Sequence, residues 1–317
     1  MSATPKPAAP HPAMRLGRVL LGLALATLLT LAATVAGLWT WSAREGSLAT
    51  ALAWLQARGP LQLQASEVSG SLRQGGRIGQ LEWQQADQGL RLQAQALEWR
   101  WDLGALLRSA WSGPPELHLR QLQARQLRIE PATSAQPAPA PTALPLPLRV
   151  SVDDVQVDEL VWAGPTAWQL QDLAGRYRYD GQTHQAELRQ VRHAQGRYHG
   201  RLQLEAGAPL GLQAELDGEL LSPLPGSRRP VALTLQARGE GTLLDFALQA
   251  RLDSPQAGAR SQAELQARVQ PWQDPPLPQA SARLQDINLA ALWPQAPATR
   301  LSGQARLAPL GQGWQFS

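Results

Sequence analysis

The chain has no cysteine among its 317 residues. That removes disulfides, thiolate metal sites and a cysteine nucleophile, and it fits a reducing cytosol as well as a disulfide-free envelope protein. Lysine is nearly missing too: of 29 basic residues only Lys6 is a lysine, and 29 less one leaves 28 arginines. Apart from the pair Arg228-Arg229 the arginines stand singly, most of them on polar positions, without the basic stripe and stacking aromatics of a nucleic-acid binder, so no nucleic acid is expected as a partner. Phenylalanine occurs twice, too seldom for the aromatic-rich core of an ordinary β-sandwich. Also missing are the G-x-S-x-G, P-loop, G-x-G-x-x-G and H-E-x-x-H patterns, the usual marks of hydrolases, nucleotide enzymes and metalloproteases.

What the sequence has is alternation. In GLRLQAQALEWRWD, residues 89–102, Leu90, Leu92, Ala94 and Ala96 share one parity and Arg91, Gln93 and Gln95 the other. After a slip of one residue, Leu97, Trp99 and Trp101 alternate with Glu98, Arg100 and Asp102. Period two predicts a strand with one dry and one wet face, and the slip predicts a bulge or tight turn.

Taken in order, residues 1–14 are rich in proline and small residues and are expected to be a disordered cytoplasmic tail. Residues 15–44 read as an uncleaved transmembrane signal-anchor. Its apolar side chains are Val19, Leu20, Leu21, Leu23, Leu25, Leu28, Leu29, Leu31, Val35 and Leu38, closed by the interfacial pair Trp39 and Trp41. Lys6, Arg15 and Arg18 on the leading side predict a cytoplasmic N-terminus and an exported remainder. Residues 45–60 predict an amphipathic helix, SLATALAWLQAR, with Ser47 as N-cap and Gly59-Pro60 as the stop. Such a helix could plug the open end of whatever sheet follows, or extend the anchor along the membrane surface.

From 61 onward the chain reads as short alternating strands joined by Gly, Asp and Pro turns. Only 101–111 is expected to interrupt them, with a short helix. A proline-rich segment, 131–147, divides the first part of the sheet, 61–130, from its continuation, 148–317; it is either a surface loop or a polyproline spacer. The sequence stops at Ser317 inside LGQGWQFS, where another strand is expected to continue. The fold class expected is all-β: a long curved antiparallel meander of about 17 strands, at ~10 residues a strand and ~5 a turn.

One parity of these strands is apolar throughout. It holds Leu61, Leu63, Leu81, Trp83, Leu90 and Leu92; then Ala94, Leu97, Trp99, Trp101, Leu117 and Leu119. It goes on with Val150, Val152, Val155, Val157, Leu160 and Trp162, and later with Leu202, Leu204, Leu233, Leu235, Phe246 and Leu248. No later segment has the helical period that could cover such a face. An open trough with an apolar interior is therefore expected. Exposing lipid chains to water costs ~0.8 kcal/mol per CH2, roughly 25 kcal/mol for two chains of about 16 carbons, so phospholipid acyl chains suit that interior.

Several stretches carry a resemblance: SLATALAWLQARG, LQLQASEVSGSLRQGGRIGQLEW, LRLQAQALEWRWDLGALL and PPELHLRQLQARQLRI. Together with the anchor they resemble the N-terminal part of the TamB branch of the AsmA-like, bridge-like lipid-transfer envelope proteins, over residues 15–130. The resemblance implies a β-trough tethered in the inner membrane and lying in the periplasm, carrying phospholipid and contributing to outer-membrane biogenesis. It also implies a BamA-related outer-membrane partner, and, as an alternative activity, assembly of outer-membrane β-proteins.

The polar and charged residues bear on rival chemistries. His118, His184, His193 and His199 are the candidates for a metal, but His193 and His199, which share a parity, lie six residues apart, too far along one strand to share an ion, so no metal site is expected. Asp153, Asp154, Asp158 and Glu159 lack the D-x-D-x-D-G form of a calcium loop and read as solvated strand positions. An anchored glycan-binding or glycan-cleaving sandwich would need two carboxylates facing one cleft. No catalytic residue and no cofactor is expected.

Overall fold

A computed structural model describes residues 34–58, 62–85, 90–102, 104, 106, 113–131, 139–164, 167–194, 196–222, 231–254, 262–287, 297, 299, 301–310 and 313–316. Most of the expected anchor, Val19 to Leu31 included, lies outside the described residues, as does Leu61. Val35, Leu38, Trp39 and Trp41 fall in helix α1, described over 34–42. Among the described residues no helix is long and apolar enough to cross a membrane.

A tight elbow joins α1 to α2, Ser47–Arg58. The expected N-cap role of Ser47 is not what its hydroxyl does. Ser47 Oγ donates to Ser42 O at 3.1 Å and accepts from Leu72 N at 3.1 Å, while Gly46 O receives the first helical bond from Thr50 N. The serine is drawn into a tertiary contact because the next turn of chain lies against it. Gly46 N to Gly70 O and Arg73 N to Ser42 O complete that contact, and the Arg73 guanidinium sits 4.2 Å over the Trp39 ring.

Fifteen strands form one sheet in strict sequence order. They are β1 (Gln62–Ser71), β2 (Gly75–Gln85), β3 (Leu90–Trp101), β4 (Glu116–Glu130) and β5 (Arg149–Trp162). Then come β6 (Trp168–Tyr179), β7 (Thr183–His193), β8 (Gly196–Glu205), β9 (Gly211–Ser222) and β10 (Val231–Thr242). The last are β11 (Asp245–Asp253), β12 (Gln262–Val269), β13 (Gln279–Ile287), β14 (Leu301–Leu310) and β15 (Gly313–Phe316). The first and last strands do not pair with each other, so the sheet is open and not a closed barrel. Between β3 and β4, Leu106 N donates to Asp102 O at 3.2 Å, one turn of the short helix expected there.

The expectation of a wholly antiparallel meander fails at one junction. β4 and β5 run parallel. A parallel neighbour requires a crossover of a dozen or more residues; the connection over 131–148 supplies 18, with a reach of ~59 Å at ~3.3 Å per residue. The proline-rich segment is therefore the crossover of the sheet. Arg149 N to Pro115 O pins the start of β5 beside the start of β4.

The slip read at Ala96 and Leu97 belongs to the whole first half of the sheet. Glu67, Ala96 and Asp172 have φ of 56°, 51° and 50°, the left-handed region that non-glycine residues rarely enter. The registers align Glu67 with Gly79, Gly79 with Ala96, Ala96 with Arg125, Arg125 with Asp158 and Asp158 with Asp172. Along this crease the dry-face spacing becomes three: Ala65 then Val68, Ala94 then Leu97, Ala124 then Leu127, Val157 then Leu160. Pairing stays in register across it, so the crease is not a one-strand bulge. True register shifts occur at Arg100/Trp101, Val152/Val155 and Leu188/Val191, where an extra residue bends the strand and raises its twist.

Leu48, 4% exposed, seats α2 on the sheet; its Cδ2 fills the space above Gly76, beside Trp99. Leu48→Ala is expected to cost about 2–5 kcal/mol, the usual range for a buried leucine, read as a lower denaturant midpoint with unchanged slope. An unchanged midpoint would mean that α2 is not held by this contact.

Candidate functional site

Residues directly opposite each other in paired strands project to the same face, so the registers can be followed from strand to strand. One row runs Gly70, Gly76, Trp99, Leu122, Val155, Gly175 and Leu188. It continues through Gly200, Leu216, Ala237, Ala250, Leu265, Ala282 and Ala305. The row crosses β1 to β14 without a polar side chain. Apart from Leu61, each of the predicted lining residues lies on this face.

Two further rows mark its margins. Leu63, Trp83, Leu92, Ile129, Trp162 and Trp168 form the tryptophan margin, where the Trp162 and Trp168 rings stack at 5.9 Å. Leu117, Val150, Tyr179, His184, Leu204, Leu212, Gly241 and Phe246 form the crossover margin. α2 docks along the same side, where Trp101 Nε1 donates to Leu72 O at 2.8 Å and its ring meets Trp99 edge-on at 6.2 Å.

Burial along the face is partial. Of the predicted lining residues only Ala94, Val152, Val157 and Leu233 are buried; the other described ones are half-buried, and Leu202 is 39% exposed. Each strand packs chiefly against its two sheet neighbours, and α2 against β1 is the one other substantial packing of elements among the described residues. Leu220, Leu233 and Leu252 cluster between neighbouring strands. Tyr198 lies flat across the next glycine, since a Cβ on Gly218 would come within 2.3 Å of its ring. Burial raises the Tyr198 and Tyr177 hydroxyl pKa values above the ordinary phenol range.

Sequence reading missed the polar group set into this face. Tyr177 Oη lies 2.7 Å from His184 Nδ1, His184 Nε2 lies 2.8 Å from Leu144 O, and the Tyr179 ring stacks on the imidazole at 4.5 Å. The RYRYD and THQAEL alternation does place these side chains on the apolar parity, which was the available signal.

The wet face carries the charges. Arg77–Glu98, Arg176–Glu187, Arg201–Glu215 and Arg251–Glu264 pair across neighbouring strands. A depression of about 960 Å³ there is lined partly by Asp153, Glu187 and Glu215, and these are bound to His118, Arg176 and Arg201. Each of those carboxylates accepts from a basic side chain, which is not the arrangement of a glycosidase acid pair. Asp154, from the predicted acid cluster, binds Arg189. The histidines have separate partners: His193 Nδ1 meets Gln169 O at 2.9 Å and His199 approaches Asp217. Their spacing gives them one parity in sequence, but the turn between β7 and β8 puts His193 on the dry face and His199 on the wet one. Among the described residues no three His, Asp or Glu side chains form a group able to hold a metal.

No family model matches the chain, and neither a curated protein nor a solved structure matches it.

Asp245 at the start of β11 accepts from Arg268 Nε at 2.7 Å and from Gln270. The Arg268 hydrogen bond, then that of Gln270, holds its pKa down to about 2. Because the folded value lies below the unfolded ~3.9, the stabilisation is complete above pH ~4 and lost as pH falls towards 2. The melting-temperature difference between the protein and Asp245→Asn is therefore expected to shrink across that window; a difference independent of pH would contradict the clamp.

Proposed function

We propose that the chain is a conduit for phospholipid acyl chains, which lie against the apolar face while their headgroups stay in solvent. One observation carries this reading: the row from Gly70 to Ala305 crosses fourteen strands with only Gly, Ala, Val, Leu and Trp. Fourteen strands at ~4.8 Å spacing make such a path ~62 Å long. In this reading the sheet curves along its crease and bulges into a trough, and hydrocarbon supplies a second layer that the described strands do not. The barrier to moving a two-chain lipid, roughly 25 kcal/mol in water, then falls along the whole path. No catalytic group is required. The segment 15–44 would tether the trough in an inner membrane, with the strands on the exported side; Val35 and Leu38, 58% and 59% exposed on α1, suit a lipid environment. This reading agrees with the TamB-like resemblance of residues 15–130 and, like it, looks to an outer-membrane acceptor.

A second reading, a scaffold for assembling outer-membrane β-proteins, is favoured by the open sheet, whose edge strands β1 and β15 have no further strand beside them among the described residues and could template an added strand.

Photoreactive residues at Leu92 and Val157 distinguish the two: lipid adducts support the conduit, nascent-protein adducts the scaffold. Leu92→Arg sets an unpaired charge in the path and is expected to reduce lipid transfer about tenfold or more, with unchanged expression. Gln95→Arg, on the wet face of the same strand, should leave transfer intact. Equal transfer by both variants would count against the conduit.

A further inference from the structure

The crossover does more than connect β4 to β5. Its return limb, 139–148, reads PAPTALPLPL, with proline at four of ten positions. Proline has no N–H to give a ladder and holds the chain stiff and extended, so this limb cannot join the sheet as a strand. It is fastened through one residue, Leu144. Leu144 N donates to Ala206 O at 2.7 Å, and Leu144 O lies 2.8 Å from His184 Nε2. A carbonyl oxygen only accepts, so Nε2 carries the proton, and Tyr177 Oη donates to the bare Nδ1. Both donors stand on the dry face. Close to this fastening Tyr179, Ala206, Leu210 and Leu212 are buried, in contrast to the half-exposed lining elsewhere.

We propose that residues 139–148 form a strap latched over the crossover margin by Tyr177 and His184, and that it controls the passage of hydrocarbon from the β1–β5 half of the apolar face to the β9–β15 half. The inference rests on the conduit reading. Its logic is steric and energetic: acyl chains crossing β6 to β8 must pass beside a limb held by two hydrogen bonds, few enough to release. The stiff prolines keep the released limb extended and ready to reseat, at small entropic cost.

The absence of native cysteine makes a direct test available in the full chain. Leu144→Cys with Ala206→Cys, bridged by a short bis-maleimide in isolated envelopes, fixes the strap shut. His184→Ala and Tyr177→Phe each weaken the latch, and the second keeps the ring. Photoreactive residues at Leu92 and Leu248 report lipid in the two halves. Since one hydrogen bond shifts such an equilibrium about fivefold, the bridge should lower the Leu248 lipid adduct by about that factor or more and spare Leu92, while either latch variant should raise it. Equal Leu248 adducts with and without the bridge would overturn the strap and leave the conduit standing. A drop on bridging with no rise in either variant would overturn the Tyr177–His184 latch. Lipid adducts at neither position in the unbridged chain would overturn both readings.

Discussion

Register is the constraint on which the rest of this molecule depends. A single open sheet has one continuous apolar face only if each strand meets its neighbour with the same parity, and a slip of one residue would turn a strand's leucines into solvent and its glutamines inward. The wet face supplies the check. Arg77 stands opposite Glu98, Arg176 opposite Glu187, Arg201 opposite Glu215 and Arg251 opposite Glu264. Exposed pairs of this kind are worth about 0.2–1 kcal/mol each. Their planar guanidinium heads match a carboxylate in one geometry, which gives a reason for arginine to stand almost everywhere a cation is needed. Stability from each pair is small; discrimination against the wrong register is repeated along the sheet.

The extra elements gather on one side. α2 sits on Gly76 and Trp99, and the proline-rich limb sits by Tyr179 and His184, both at the crossover margin. The opposite margin keeps its row of Trp83, Trp162 and Trp168. Access to the apolar face is therefore asymmetric: one border is partly roofed by chain and the other is edged with broad rings, amphipathic enough to meet both hydrocarbon and water.

Much of this was legible from residue order. Alternation placed the described residues from Leu63 to Leu248 on one shared face, as the registers have them, because period two is a direct property of the strand. Ser47 shows the limit of local rules. Its position and type fit an N-cap, but a turn 25 residues away claimed the hydroxyl. The crossover was hidden for a different reason: proline composition tells that a segment is no strand, and does not tell where its far end lands. The crease at Glu67, Ala96 and Asp172 was visible at Ala96 alone, since only there did two apolar residues fall side by side. At the other positions polar side chains occupy the turn of parity and mask it. His184 reads from sequence as a metal candidate by residue type alone, whereas its partners, a phenol and a peptide carbonyl, come from segments that sequence cannot bring together.

Strand order that follows chain order without exception has a bearing on how such a molecule comes into being. Nearly every contact is with the preceding or following strand, as in solenoids whose energetics are close to one-dimensional. A chain emerging N-terminus first can zip up hairpin by hairpin, each new strand finding its template already laid down, with the α2 cap and β1 as the seed. The 131–148 crossover is the one step at which zippering must pause, because the chain has to travel back along β4 before it can pair again.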